Sequence, residues 1–269
     1  MSAPVIIVFD SGLGGLTVYR EVVKLLPGAS YVYCADDVCF PYSELDEAAL
    51  IARVLAVMQA VKQRYEPDLV VVACNTASTV ALPALRQRFE VPFVGTVPAV
   101  KPAAAASHSK LISVLGTEAT VQREYTLGLI RDFAAGCEVT LVGSTRLASI
   151  AEADLRGEAV DDGEIEREID ACFVEKDGKR TDVVVLGCTH YPLLLERLQR
   201  LAPWPVEWLD PAPAIARRVA DLLDGGGTEA SAPGGPPLAV FTSGKPPLAV
   251  LRRFGFEAET RPLAVDTGP

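Results

Sequence analysis

Short apolar runs rich in β-branched residues recur along the chain, separated by longer segments whose apolar residues repeat with helical spacing. The predicted strands are residues 5–9, 31–34, 69–73, 93–95, 111–115, 139–142, 183–186 and 206–208. The predicted helices include residues 46–63, 77–89, 121–133 and 193–201. Strands without polar alternation, separated by helices, are typical of parallel sheets that are covered on both faces. The pattern therefore predicts an α/β fold with mostly parallel sheets.

Two parts of the chain follow the same pattern, which predicts two similar domains. Residues 70–76 and 184–190 are both apolar strands that end in a cysteine followed by polar residues, and a helical segment comes after each. Prolines near 98–102 and 211–213 indicate boundaries. We predict a first open α/β domain from residues 1–97 with a returning tail, 211–269, and a second from residues 98–210. An active-site cleft is expected between them.

Composition and charge argue against several classes of function. The chain has 269 residues, 49% of them hydrophobic, and a formal net charge of −10, which argues against nucleic-acid binding. A basic leader and a membrane-length apolar run are both missing from the sequence, so we expect a cytoplasmic protein without a membrane partner. Six cysteines without a secretion signal are expected to be reduced thiols. With two histidines and no CxxC pair, the sequence also argues against a metal site.

Candidate catalytic residues follow the predicted strands, where open parallel sheets bind ligands. Cys74 and Cys188 each lie at a strand-to-helix turn, and a helix N-terminus lowers the pKa of a thiol. Asp10 and His190 are plausible proton partners of the first and the second thiol. Inverting a carbon centre requires one base on each face, so two such thiols favour a racemase, with hydroxyls and backbone N–H groups stabilising the developing charge. Cys34, Cys39, Cys137 and Cys172 are interpreted as core residues, and Cys39 is considered again below.

A glycine-rich turn, residues 10–15, follows the first predicted strand. Its glycines at 12 and 14 would need a third at 17 to match the dinucleotide fingerprint, and that position is Thr17. Two interpretations stay open: a tight turn that positions Asp10 for chemistry, and a helix N-cap network that serves structure alone.

Three segments resemble the signature segments of bacterial glutamate racemases. They are residues 9–17 (FDSGLGGLT), 73–78 (ACNTAS) and 187–192 (GCTHYP), and they occur in the family's order. Residues 116–121 (GTEATV) fit as well, and residues 241–244 (FTSG) are compatible. The resemblance covers about residues 5–223.

This resemblance implies a two-domain enzyme that uses neither a metal nor pyridoxal phosphate. Cys74 would handle the proton of the D-isomer with help from Asp10, and Cys188 that of the L-isomer with help from His190 and Glu152. The implied substrate-binding residues are Asp10, Ser11, Pro41, Tyr42, Ser43, Asn75, Thr76, Thr117, Thr120, Thr189 and His190. The product D-glutamate would supply peptidoglycan synthesis, and with it cell-wall biogenesis and cell shape. Members of the family are commonly homodimers.

Departures from the family pattern occur in residues 35–43 (ADDVCFPYS). Cys39 stands where an arginine is common, Ser43 replaces a glycine whose backbone approaches the substrate, and Arg123 lies where serine is frequent. Ser43 is expected to restrict the backbone there. Racemisation of aspartate or a hydantoin therefore remains an alternative to glutamate. A related decarboxylase would retain one functional cysteine of the pair, whereas both are present, and a non-catalytic regulator, such as a gyrase inhibitor, is a further alternative.

Overall fold

The computed structural model describes residues 3–224, 234–257, 262, 263 and 265. They form two compact units: unit 1 from the residues up to Thr96 together with those from Ala212 onward, and unit 2 from Val97–Pro211. Parts of the predicted C-terminal tail, residues 225–233, 258–261, 264 and 266–269, lie outside the described residues.

The elements alternate between strands and helices along the chain. The strands are β1 (Val5–Asp10), β2 (Ser30–Ala35), β3 (Leu69–Val72), β4 (Phe93–Gly95), β5 (Leu111–Thr117), β6 (Glu138–Ser144), β7 (Glu175–Lys176), β8 (Lys179–Arg180), β9 (Val183–Gly187), β10 (Glu207–Leu209) and β11 (Leu238–Phe241). The helices are α1 (Leu16–Leu25), α2 (Glu47–Tyr65), α3 (Asn75–Arg88), α4 (Val100–Ala106), α5 (Glu118–Gln122), α6 (Glu124–Phe133), α7 (Leu147–Arg156), α8 (Asp162–Ile169), α9 (Leu195–Leu201), α10 (Ala212–Asp224) and α11 (Leu248–Arg252). Short 3₁₀ turns lie at Asp37–Cys39, Tyr42–Glu44, Asp170–Cys172 and Tyr191–Leu194.

Unit 1 is built around a parallel sheet with the strand order β11-β2-β1-β3-β4. The central strand β1 is buried from Ile6 to Asp10, which explains why its sequence is continuously apolar rather than alternating. Ile7 and Val70 of the sheet share a core cluster with Val54 and Met58 of α2. Full burial of each such side chain contributes about 1.5–3 kcal/mol.

Unit 2 contains a second parallel sheet with the order β10-β9-β5-β6. Its inner strands β5 and β9 are fully buried, and Gly116 pairs with Gly187 at their carboxyl ends. The α/β class with mostly parallel sheets in separate domains is thereby confirmed. Within the described residues, no helix combines the length and apolarity needed to cross a bilayer.

The prediction of one helix over residues 121–133 is wrong. The structure has α5 and α6 instead, with Arg123 extended between them (φ −71°, ψ 138°). The Thr126 hydroxyl donates to the Thr120 carbonyl oxygen at 2.7 Å. In a continuous helix that carbonyl would accept from the backbone of Glu124, so the threonine side chain replaces a helical hydrogen bond at the break.

Two other helices begin later than predicted. Asp46 is the N-cap of α2, since its Oδ1 accepts from the backbone N–H of Ala49 at 2.9 Å, and the helix begins at Glu47. The chain after Cys188 forms a 3₁₀ turn over Tyr191–Leu194 before α9 begins at Leu195.

The short antiparallel hairpin of β7 and β8 was not predicted. Its turn residues Asp177 and Gly178 both have positive φ, 50° and 72°. An Asp-Gly pair favours this kind of two-residue turn, so the dipeptide in the sequence indicates the hairpin.

Candidate active site

Asp10 lies at the carboxyl end of β1 and is completely buried. Its Oδ2 accepts from the backbone N–H groups of Gly12 at 3.2 Å and Gly15 at 3.0 Å. A Cβ on Gly15 would come within 2.7 Å of the Asp10 Cβ, so the turn closes over the carboxylate only with glycine there. Asp10 therefore organises the turn before α1, and this structural role is compatible with a catalytic one.

Cys74 follows β3 and is the N-cap residue of α3. Its Sγ accepts from the backbone N–H of Ala77 at 3.5 Å and lies 3.8 Å from the Ser11 Oγ. The thiol is buried, with 7% of the residue exposed. A helix N-terminus stabilises negative charge, so this position favours the thiolate.

Asn75 and Thr76 form the first turn of α3, directly after the thiol. Asn75 is 2% exposed, and neither its Nδ2 nor its Oδ1 has a hydrogen-bond partner within the described part of the chain. A buried amide without partners costs free energy, and such groups in native proteins call for an explanation. A bound polar ligand would supply the missing hydrogen bonds.

The segment that departs from the family pattern is held by a buried carboxylate. Asp36 accepts from the Tyr42 hydroxyl at 2.6 Å, from Arg53 at 2.6 and 2.8 Å and from the Thr242 hydroxyl at 2.8 Å. Burial and the neighbouring Asp36 raise the pKa of Tyr42, which keeps its phenol neutral. Asp36 and Arg53 were not among the residues predicted for the site. An aspartate directly after β2, as Asp10 ends β1, was the available signal.

Pro41 and Ser43 flank Tyr42 and are each partly buried. Among the described residues, positive φ at non-glycine positions occurs at Glu66, Lys110 and Asp177, and Ser43 is not one of them. The backbone of Ser43 is therefore outside the left-handed region that favours glycine, and the effect of its side chain on substrate fit stays a prediction.

In unit 2, Cys188 follows β9 and begins a chain of polar contacts. Its Sγ lies 3.7 Å from the His190 Nδ1, and the His190 Nε2 lies 3.0 Å from the Glu152 Oε1. All three residues are buried, as is Thr189 between the thiol and the imidazole. Glu152 lies on α7, 36 positions before Cys188 in the chain, and the structure brings it to the histidine. A carboxylate that fixes an imidazole beside a thiol is the arrangement of an activated cysteine.

Thr117 and Thr120 lie at the carboxyl end of β5. Thr117 is the N-cap of α5, and its Oγ1 accepts from the backbone N–H of Thr120 at 3.2 Å. The two hydroxyls are 2.8 Å apart. Both threonines are buried, so the structure shows them in a capping role next to the strand end that pairs with β9.

The remaining cysteines have different surroundings. None of the six cysteines forms a disulfide bond in the structure. Burial raises the pKa of Cys34 well above its ordinary value and that of Cys172 to about 12. Burial also raises the pKa of the partly exposed Cys39. These thiols stay protonated at neutral pH, in agreement with a core role for Cys34 and Cys172.

No group of three or more His, Cys, Asp or Glu side chains could hold a metal ion, as far as the described residues go. The site in each unit thus consists of a thiol, its hydrogen-bonding neighbours and the turns that carry them.

Comparison with known proteins identifies the family. The model of the family described as Asp/Glu/Hydantoin racemase matches residues 6–219. The chain belongs to this racemase family. The resemblance inferred from the three cysteine- and glycine-containing segments is confirmed, and membership makes the protein an amino-acid racemase, an isomerase.

Individual members of the racemase family resemble the chain over nearly its whole length. The glutamate racemase of Brucella canis is 53% identical over 248 residues, covering 92% of this chain and 90% of that protein. The glutamate racemase of Agrobacterium fabrum is 52% identical with the same coverage. The crystal structure of Escherichia coli glutamate racemase with L-glutamate and the activator UDP-MurNAc-Ala matches with a TM-score of 0.89 at 44% identity, covering 98% of this chain and 99% of that one.

Proposed function

We propose that the protein interconverts L- and D-glutamate by a two-base mechanism that needs no cofactor. The observation that carries the proposal is the pair of buried thiols at matching strand ends, Cys74 capping α3 and Cys188 beside His190. The substrate is proposed from the relatives, which are glutamate racemases, one of them with L-glutamate bound.

In this mechanism the Cys188 thiolate removes the α-proton of L-glutamate. The electron pair of the broken C–H bond moves toward the substrate carboxylate, and the Cys74 thiol then donates its proton to the opposite face of the carbon. Cys188 finishes protonated and Cys74 finishes as the thiolate. The reverse reaction uses the same steps from the D-isomer, so each thiol is a base in one direction and an acid in the other.

The neighbours of each thiol fit these roles. The N-terminus of α3 stabilises the thiolate of Cys74, while His190, oriented by Glu152, is placed to exchange a proton with Cys188. The amide of Asn75, which has no hydrogen-bond partner among the described residues, is available for the substrate's polar groups. Preorganised donors of this kind stabilise developing charge on its carboxylate.

We further propose that the D-glutamate formed supplies peptidoglycan synthesis in the cytoplasm, and through it cell-wall biogenesis and cell shape. The homodimer expected from the family resemblance remains a prediction that the oligomeric state in solution would test.

Replacing either thiol should abolish racemisation because each supplies one face of the reaction. We expect Cys74→Ala and Cys188→Ala each to lower kcat/KM for glutamate by about 10³-fold or more, the scale of a lost general base. Cys137→Ala, at a partly buried thiol outside the site, should stay within about twofold of the unchanged enzyme. Circular dichroism with L-glutamate, and deuterium incorporation at its α-carbon in D₂O, would measure both effects.

The same assay separates the remaining alternatives. A panel of L-glutamate, L-aspartate and a hydantoin should show racemisation of glutamate alone at a substantial rate. Preference for aspartate or the hydantoin would overturn the substrate. Inactivity on all three would point to a regulatory member, and undiminished activity in Cys74→Ala would refute the two-base mechanism.

A further inference from the structure

The carboxylate of Glu152 contacts both His190 and Arg156. Its Oε1 lies 3.0 Å from the His190 Nε2, and its Oε2 accepts from the Arg156 Nη2 at 2.6 Å. The polar chain that begins at the Cys188 thiol therefore continues past Glu152 to a guanidinium. Arg156 has 44% of its side chain exposed, whereas Glu152 has 4%.

Helix geometry explains the contact. Glu152 and Arg156 are four residues apart on α7, so they lie on the same face, with the acid toward the N-terminus as an i,i+4 pair prefers. Arg197 of α9 holds this part of α7 in place, since it donates to the Asp154 Oδ1 at 2.8 Å. The second oxygen of Glu152 is thus met by a cation on a fixed helical turn.

Other charged and titratable groups lie close to parts of this chain. Tyr191 interacts electrostatically with Cys188, Glu168 and Cys172, and the Asp154–Arg197 pair lies two positions from Glu152 on α7. Burial keeps the Tyr191 phenol and the Cys172 thiol neutral by raising the pKa of each. Asp154 and Arg197 offset each other, whereas Arg156 places its positive charge directly on the carboxylate that orients His190.

We infer that Arg156 is a positioning residue that keeps Glu152 ionised and aimed at His190, and thereby sets the pH at which the Cys188–His190 pair becomes competent as a base. The inference rests on the proposed role of Cys188. Arg156 contacts neither thiol nor substrate in this scheme, so it acts through Glu152.

The sign of the effect follows from charge. Removing a cation near a set of acids favours their protonated forms, so each of them then ionises at a higher pH. Glu152 without Arg156 would hold a proton more readily, and the thiol–imidazole pair would lose a nearby positive charge. The half-exposed position of Arg156 limits the effect through solvent screening.

The test is the pH profile of kcat/KM for glutamate, which reports ionisations of the free enzyme. Arg156→Gln should move the acidic limb to higher pH by roughly half a unit, from one charge acting through a largely aqueous medium. Arg156→Lys keeps the charge and should return the limb toward its original position. Arg146→Gln is the matched control, because Arg146 also lies at an end of α7 and pairs with Glu164, at 3.0 Å, rather than with Glu152.

A second measurement works without racemisation. The rate of iodoacetamide alkylation at residue 188, followed by mass spectrometry of that peptide against pH, reports its thiolate fraction. Arg156→Gln should shift the alkylation profile of Cys188 to higher pH and leave that of Cys74 unchanged.

The outcomes separate the two proposals. An unshifted Cys188 profile in Arg156→Gln, or a Lys variant shifted as far as the Gln variant, would overturn the inference about Arg156. If the protein without substitutions is alkylated normally at both thiols but fails to racemise glutamate, the proposed function is instead overturned.

Discussion

Three carboxylates lie buried in and beside the candidate site, and each is compensated differently. Asp10 accepts hydrogen bonds from backbone N–H groups of its own turn. Glu152 contacts His190 and Arg156. Asp36 accepts hydrogen bonds from Arg53, from a phenol and from a threonine hydroxyl. An ionised carboxylate is costly to bury unless such partners replace water. Asp10 therefore depends on donors of its own turn, whereas Glu152 and Asp36 also depend on donors that lie distant in the sequence.

The Asp36–Arg53 pair gives a prediction for stability. Arg53→Ala should reduce the free energy of unfolding by about 3 kcal/mol, because it leaves a fully buried carboxylate without its cation. Urea unfolding followed by circular dichroism measures the loss. Arg131→Ala, which breaks an exposed ion pair with Glu124, should cost under about 1 kcal/mol. Equal losses in the two variants would contradict the argument.

At the scale of elements, a carboxylate joins the start of β9 to the loop before β5. The Oδ1 of Asp182 accepts from the Ser107 hydroxyl at 2.7 Å, and its Oδ2 accepts from the backbone N–H groups of His108 at 2.7 Å and Ser109 at 2.8 Å. Partial burial acts to raise the pKa of Asp182, but these hydrogen bonds outweigh it and lower the pKa below the ordinary value. The ionised form thus stabilises the fold.

The stabilisation by Asp182 should depend on pH. Because its pKa is lowered in the folded state, the contribution is complete above the unfolded pKa of about 3.9 and is lost as the pH falls through the folded value. Asp182→Asn should therefore cost about 2 kcal/mol at pH 7 and progressively less below about pH 4. Thermal unfolding against pH measures this. Asp132→Asn, on exposed helix surface, should show no such trend, and a pH-independent loss for Asp182→Asn would refute the argument.

The sequence predicts these elements well where periodicity and burial agree. The apolar strands β1, β3, β5 and β9 were found because parallel strands buried on both faces have continuous apolar sequences. The helix predicted across Arg123 is wrong because the chain is extended there, and the Thr126 hydroxyl replaces a helical hydrogen bond, which apolar periodicity does not register. Local polar chemistry decided where helices begin and end.

The candidate site divides in the same way. Cys74 and Cys188 could be found because they follow apolar strands, and Glu152 entered through the family resemblance. Asp36 had a signal in its position directly after β2, whereas Arg53 and Arg156 could not be placed beside the site from sequence, since their contacts depend on how helices α2 and α7 lie. Side chains that act through another residue leave little trace in a linear pattern.

At the scale of the molecule, unit 1 is completed by the end of the chain. Strand β11 pairs with β2 at the edge of the sheet, α10 packs against α1, and Phe256 lies 4.8 Å from Tyr19 between ring centroids. Phe256 is 3% exposed, so this last described aromatic is part of the core of unit 1.

Phe256→Ala should therefore weaken unit 1 selectively. Losing a buried phenylalanine costs about 3 kcal/mol or more. Hydrogen exchange should accelerate in β1 and β2 and remain unchanged in β5 and β9. Both tryptophans of the chain, Trp204 and Trp208, lie in unit 2. The unfolding transition that their fluorescence reports should therefore keep its midpoint in urea. Matching shifts in both signals would show that the units unfold together.

The pairing of β11 with β2 also has a consequence during translation. The ribosome synthesises all of unit 2 after β2 and before β11. The sheet of the nascent unit 1 therefore lacks its edge strand during this interval. At about 5–20 residues per second, this interval is on the order of ten seconds. Throughout it the backbone groups of β2 that β11 will cover are open to other strands. The newborn polypeptide is thus exposed to misassembly, and to chaperone capture, from the synthesis of β2 until β11 has been made.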